Sequence, residues 1–67
     1  GLMLKNVIYN WIKSVNERGS NVNFDDIMIK YVDDYEVKDI ENALEELEKE
    51  GKISKGDLCG ILYYEAW

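Results

Sequence analysis

The sequence predicts a small α+β domain in which three helices precede a two-stranded β-hairpin. Three observations predict it. Apolar residues recur at three- and four-residue spacing through three separate stretches before residue 50. From Lys52 onward the period shortens towards two, and Val/Ile/Leu/Tyr-rich segments replace the amphipathic ones. Glycine or paired aspartates stand between the stretches, at Gly19, Asp33-Asp34 and Gly51.

Helix one is carried by Leu4, Val7, Ile8, Trp11, Ile12 and Val15, an i, i+3, i+4, i+7, i+8 series that puts one apolar face towards a core, with Trp11 inside it. Lys5, Asn10, Lys13 and Ser14 occupy its other face, and Arg18 with Gly19 forms the stop. Ser20-Asn21-Val22 reads as a two- or three-residue strand or as plain loop. Asn23 is placed to cap a second helix, with Asp26 three residues later in the capping-box position. Phe24, Ile27, Met28 and Tyr31 give that helix its stripe, and Asp33-Asp34 turns the chain after Val32.

The third helix runs from Val37 to Glu50 on the stripe Ile40, Ala43, Leu44 and Leu47. Glu36 falls at its N-cap, a residue poorly suited to capping. Tyr35 and Ile40 fall at the N′ and N4 positions of a hydrophobic staple. Gly51 ends it. Lys52-Ile53-Ser54 then reads as a strand, Lys55-Gly56-Asp57 as a turn, and Leu58 to Tyr64 as a second strand with Cys59 buried in it. Glu65-Ala66-Trp67 reads as a tail. Gly1-Leu2 ahead of Met3 resembles a cloning remnant, which leaves residues 3–67 as one domain.

At 67 residues the chain makes one domain at most, and one that buries only about 60% of its unfolded surface. Hydrophobic residues make up 46%, with five tyrosines and two tryptophans, which places it among globular rather than disordered chains. No run of about 18 apolar residues offers a membrane span, and Lys5, Asn6, Asn10 and Lys13 break up any signal-peptide core. The single cysteine fits a reducing setting, cytoplasmic or, in a eukaryote, nuclear. With no histidine, no glycine-rich phosphate loop and little room for a pocket, the sequence argues against an enzyme, a bound cofactor or a metal. Asp25/Asp26 and Asp33/Asp34 are explained by capping and turns.

The order helix, short strand, helix, helix, hairpin, with the pattern Ile40-x3-Leu44-x2-Leu47-x3-Gly51-x-Ile53, resembles the winged helix superfamily from Leu4 to Tyr64. The resemblance implies a three-helix winged helix-turn-helix with a C-terminal two-stranded β-hairpin wing. Asn23-Phe24-Asp25-Asp26-Ile27 with Glu48-Lys49-Glu50-Gly51-Lys52-Ile53 is similar to the C-terminal domain of the middle subunit of replication protein A, a family that docks helices of partner proteins. Leu44 to Ile53 also looks like the C-terminal winged helix of archaeal minichromosome maintenance helicases, although Asp57 to Tyr63 lacks the proline those wings carry. The Lys/Glu-rich, proline-free composition is in keeping with an archaeal source.

In such a fold the third helix is the recognition helix, and here its charge conflicts with DNA. From Lys38 to Glu50 it carries two lysines against six acidic residues, in a chain of net charge −6. Phosphate contacts need Lys and Arg. Glu41/Glu45 and Glu46/Glu50 are like-charged i,i+4 pairs that cost a few tenths of a kcal/mol each. The expectation is therefore a non-catalytic module, part of a DNA replication or repair protein, that docks a basic or amphipathic protein segment through Glu41, Glu45, Glu48, Tyr64 and Trp67. The alternative is a DNA-binding transcriptional regulator, acting as a homodimer. Weak nucleic-acid contacts would then fall to Lys38, Asn42, Lys52 and Lys55. No membrane partner is expected.

Overall fold

The computed structural model describes residues 3–67, so the reading of residues 1 and 2 as a cloning remnant lies outside the described residues. Helix α1 spans Leu4–Glu17, strand β1 Val22–Asn23, helix α2 Phe24–Tyr31 and helix α3 Val37–Lys49. Strands β2, Ile53–Leu58, and β3, Ile61–Ala66, complete the chain. The domain is α+β: three helices and a three-stranded antiparallel sheet in the order β1-β3-β2. The short segment before α2 is thus a strand, pairing Val22 with Tyr64 and Asn23 with Tyr63. The hairpin gains a third strand that two-stranded patterning left open.

The helix ends follow from local chemistry. Asn23 closes the capping box: its Oδ1 accepts from the Asp26 N–H at 2.8 Å, and its own N–H donates to Asp26 Oδ2 at 3.1 Å. These bonds satisfy two donors that a helix start would otherwise leave to water. Glu36 makes no side-chain cap for α3, as its type suggests. At the other end of α3, Lys52 N–H donates to Leu47 O at 3.0 Å and Gly51 N–H to Glu48 O at 3.1 Å, with Gly51 at φ +74°. This is a Schellman stop, which glycine adopts without a Cβ clash. The same pair of bonds, Ser20 to Val15 and Gly19 to Asn16, ends α1.

The helical stripes meet in one core. Ile8, Ile12, Val22, Ile27, Ile40, Leu47 and Ile53 are all at most 2% exposed, joined by Tyr31, Ala43, Leu44 and Tyr64. Burying each large aliphatic side chain contributes about 1.5–3 kcal/mol. Trp11 lies at the margin of this core rather than inside it, half-buried and edge-on to Tyr31 at 5.9 Å. Lys30 Nζ sits 5.2 Å from the Trp11 ring centroid and 5.7 Å from that of Tyr31, so one cation is shared by the two rings.

The hairpin departs from the sequence pattern. Its turn is not Lys55-Gly56-Asp57 but Cys59-Gly60, with Leu58 paired to Ile61 across a two-residue loop. Both loop residues have positive φ, +54° and +80°, which is the type I′ arrangement that matches strand twist. Gly56 lies inside β2 opposite Tyr63 instead. Two corrections follow. Cys59 is exposed at the turn, not buried in a strand. Glu65 and Ala66 belong to β3, and Trp67 N–H adds a further bond to Lys52 O at 2.9 Å. Asp57 Oδ1 accepts from Gly60 N–H at 2.9 Å and pins the turn.

Candidate groove between helix three and the hairpin

The corrected register decides what the hairpin shows to α3. On β3, Leu62, Tyr64 and Ala66 face inward, while Ile61, Tyr63 and Glu65 face out. Alternation thus separates the two tyrosines: Tyr64 is 6% exposed and Tyr63 is half-buried. Opposite Tyr64 on the same face stands Lys55. α3 runs past this face with Leu44 inward and Glu41, Glu45 and Glu48 along its near rim.

Between them lies an open groove of about 690 Å³, lined by Phe24, Leu44, Leu62 and Tyr64 below and by Glu41, Glu45 and Glu48 above, with Lys49 and Lys55 at its sides. Four of the five residues expected to bind a partner therefore meet in one place. Tyr64 contributes as floor rather than as a projecting ring. Burial first, then the nearby carboxylates of Glu48 and Glu41, push its hydroxyl above the usual phenol range. It faces the groove as a neutral donor.

Trp67, the fifth residue, is outside this groove. The residue is 62% exposed, and its main-chain oxygen accepts from the Tyr9 hydroxyl at 2.6 Å and from Lys13 Nζ at 3.4 Å, which ties it to α1. Phe24, Leu44 and Leu62 were read from sequence only as stripe or strand residues. Their meeting depends on the hairpin register, which a turn at Lys55-Gly56-Asp57 would misplace.

The glutamates of α3 and of its C-cap, Glu50, divide into two groups. Glu50 accepts from Lys5 at 2.6 Å, and Glu46 lies 3.7 Å from the same lysine. That hydrogen bond holds the Glu50 carboxyl below the usual carboxylate range and raises the Lys5 ammonium above its own. The Glu46/Glu50 repulsion is thus offset by a cation from α1, and its role is to join helices. On the groove side, Glu48 meets Lys55 at 3.4 Å and Glu45 meets Lys49 at 3.8 Å. Glu41 has no ion pair within 4.0 Å among the described residues. Such exposed pairs contribute only about 0–1 kcal/mol each, so both lysines can yield their partners to an incoming cation.

The residues considered for nucleic-acid contact do not gather. Lys55 is in the groove against Glu48, and Lys52 lies 3.5 Å from Glu50. Asn42 lines a separate shallow depression with Leu4, Lys5, Asp39 and Glu46, and Lys38 stands exposed on α3. Among the described residues no three His, Cys, Asp or Glu side chains are grouped to hold a metal ion. No described helix is long and apolar enough to cross a membrane. Comparison of the chain with protein-family models, with curated proteins and with solved structures finds no match.

Proposed function

We propose that this is a winged helix domain acting as a non-catalytic docking module, which captures a basic amphipathic helix of a protein partner. The element order and the β1-β3-β2 sheet support the winged helix reading, with the β2–β3 hairpin as its wing. One observation carries the functional reading: the groove between α3 and the hairpin has an apolar floor and an acidic rim. An amphipathic helix lays its apolar residues into such a groove at i, i+3, i+4 and i+7 spacing, and flanking lysines or arginines meet the carboxylates. The resemblance to the replication protein A domain extends this to a partner within DNA replication or repair.

DNA binding through α3 is the competing reading, and the charge distribution works against it. Phosphates approaching the groove would meet Glu41, Glu45 and Glu48, while Lys52 and Lys55 each stand beside a carboxylate that offsets their charge. Calorimetric titration separates the two. A designed Leu/Lys amphipathic helix should bind with a micromolar dissociation constant at about 0.1 M salt, and a 20-base-pair duplex should not bind even at about 50 mM salt. Binding of the duplex with steep salt dependence, and none of the peptide, overturns the docking reading in favour of a DNA-binding regulator.

A further inference from the structure

β2 is the outermost strand of the sheet, and no described strand lies beyond it. Its free backbone edge can be worked out from the register. In an antiparallel pair, alternate residues turn both backbone groups towards the partner. Trp67 N–H donates to Lys52 O, and Leu58 and Ile61 close the two-residue turn. The even-numbered residues of β2 therefore bond to β3. Ile53, Lys55 and Asp57 turn their N–H and C=O groups outward, where an added strand would meet them. Lys55 and Asp57 are exposed, and nothing lies within 4 Å of where a Gly56 Cβ would stand.

The side chains along this edge are complementary to themselves. An added β2 from a second copy can run antiparallel with its inner face kept inward only if residues of like parity face each other. Centred on Lys55, that pairing sets lysine against lysine. Centred on Asp57, it sets aspartate against aspartate. Centred on Gly56, it sets Lys55 against the second Asp57 and Asp57 against the second Lys55, both at positions whose backbone groups point outward. The two glycines then face each other where side chains come closest. Lysine alone on an edge strand guards it by repelling a second copy. Aspartate two residues further on removes that repulsion in one register and keeps it in the neighbouring ones.

We propose that the free edge of β2 is a self-association surface, on which a second copy of this chain adds its own β2 antiparallel about Gly56. Four backbone hydrogen bonds and two Lys55–Asp57 pairs hold the two strands. The contact is smaller than the ~1,200 Å² of a stable interface, so the dimer is weak, with a dissociation constant on the order of 0.1 mM. It joins two sheets into one of six strands and leaves both α3 grooves open. Lys55 also lines the groove, 3.4 Å from Glu48, so its pairing with Asp57 of the second copy exchanges that partner and leaves Glu48 open to an incoming cation.

Sedimentation equilibrium of the Cys59→Ser chain, from about 10 µM to 1 mM, tests the association without a thiol. Dimer formation supports it, and a monomer throughout this range overturns it. Lys55→Glu should weaken the dimer at least about fivefold, and Lys55→Glu with Asp57→Lys should restore it to within about twofold. A dimer indifferent to Lys55→Glu overturns the proposed edge. Because Asp57→Lys also removes the bond to Gly60, a second variant reads the register without it. In Gly56→Cys/Cys59→Ser the facing Cα atoms lie about 4.5 Å apart, inside disulfide range. That variant should oxidise to a covalent dimer at least about tenfold faster than Lys38→Cys/Cys59→Ser, whose thiol lies on α3. Equal rates for the two overturn the register.

Discussion

Reversing two charges on the groove rim tests the docking site without touching the core. Glu41→Lys with Glu45→Lys moves the net charge from −6 to −2, since each substitution adds two units. The stability effect is small and can be worked from the pairs involved. The Glu41/Glu45 repulsion becomes a Lys/Lys repulsion of the same size. The Lys49–Glu45 pair, whose side chains are 77% and 67% exposed, is lost and replaced by a like-charge pair. At a few tenths of a kcal/mol per exposed i,i+4 pair, the sum is about 0.5–1 kcal/mol. In a domain of this size that lowers Tm by roughly 2–8 °C.

Partner binding should respond more strongly, because both rim positions change from attracting to repelling a cationic helix. With about 1 kcal/mol for each reversal, affinity for the Leu/Lys peptide falls by roughly 30-fold. The same variant should bind duplex DNA somewhat better than the parent, since four units of negative charge are gone. Isothermal titration measures both, and circular dichroism verifies the fold. Peptide affinity within about twofold of the parent, in a variant that remains folded, refutes the assignment of Glu41 and Glu45 to the site.

Three further outcomes follow from the fold. Cys59→Asn replaces a non-glycine residue at φ +54° by one suited to a type I′ turn, and should raise stability by about 0.5–1 kcal/mol in chemical denaturation. Asn23→Ala removes the side-chain half of the capping box and should cost about 1 kcal/mol, with hydrogen exchange rising first at the start of α2. Burial raises the hydroxyls of both Tyr31 and Tyr64 above the unfolded value of 10.0, so the folded state retains protons that the unfolded chain releases. Stability from these groups is complete below about pH 10 and is lost as pH rises above it. Tyr64→Phe should flatten that alkaline decline in melts between about pH 8 and 11, and an unchanged decline would show that Tyr64 has no part in it.

The helices were legible in the sequence because their signals are local. Stripes such as Ile40, Ala43, Leu44 and Leu47, the Asn23–Asp26 box and the stop at Gly51 each need only a few neighbouring residues to act, and each sits where the pattern placed it. Trp11 was less legible, because its periodicity shows the face it occupies but not how far over the edge of a small core that face extends. The hairpin turn was misplaced for a definite reason. Lys55-Gly56-Asp57 has the composition of a turn, but the type I′ loop adopted here needs positive φ at both central residues. Cys59-Gly60 supplies this with a cysteine in a conformation that composition does not advertise.

That displacement of the turn hid the groove. Glu41, Glu45 and Glu48 could be singled out from helical spacing and charge alone. Their union with Leu62 and Tyr64 depends on which residues of β3 face inward, and this is fixed by the turn. Trp67, expected to join Tyr64 in the partner site, is held instead at the α1 side of the sheet by its bonds to Tyr9 and Lys52.

The central claim, that the groove between α3 and the hairpin receives a basic amphipathic helix, is tested most directly by amide chemical-shift mapping of the labelled domain during addition of the Leu/Lys peptide. The account predicts shifts concentrated at Phe24, Glu41, Leu44, Glu45, Glu48, Leu62 and Tyr64, with Asn42, Lys38 and α1 unmoved. Shifts centred on α1 and Trp67, or none at saturating peptide, would contradict it.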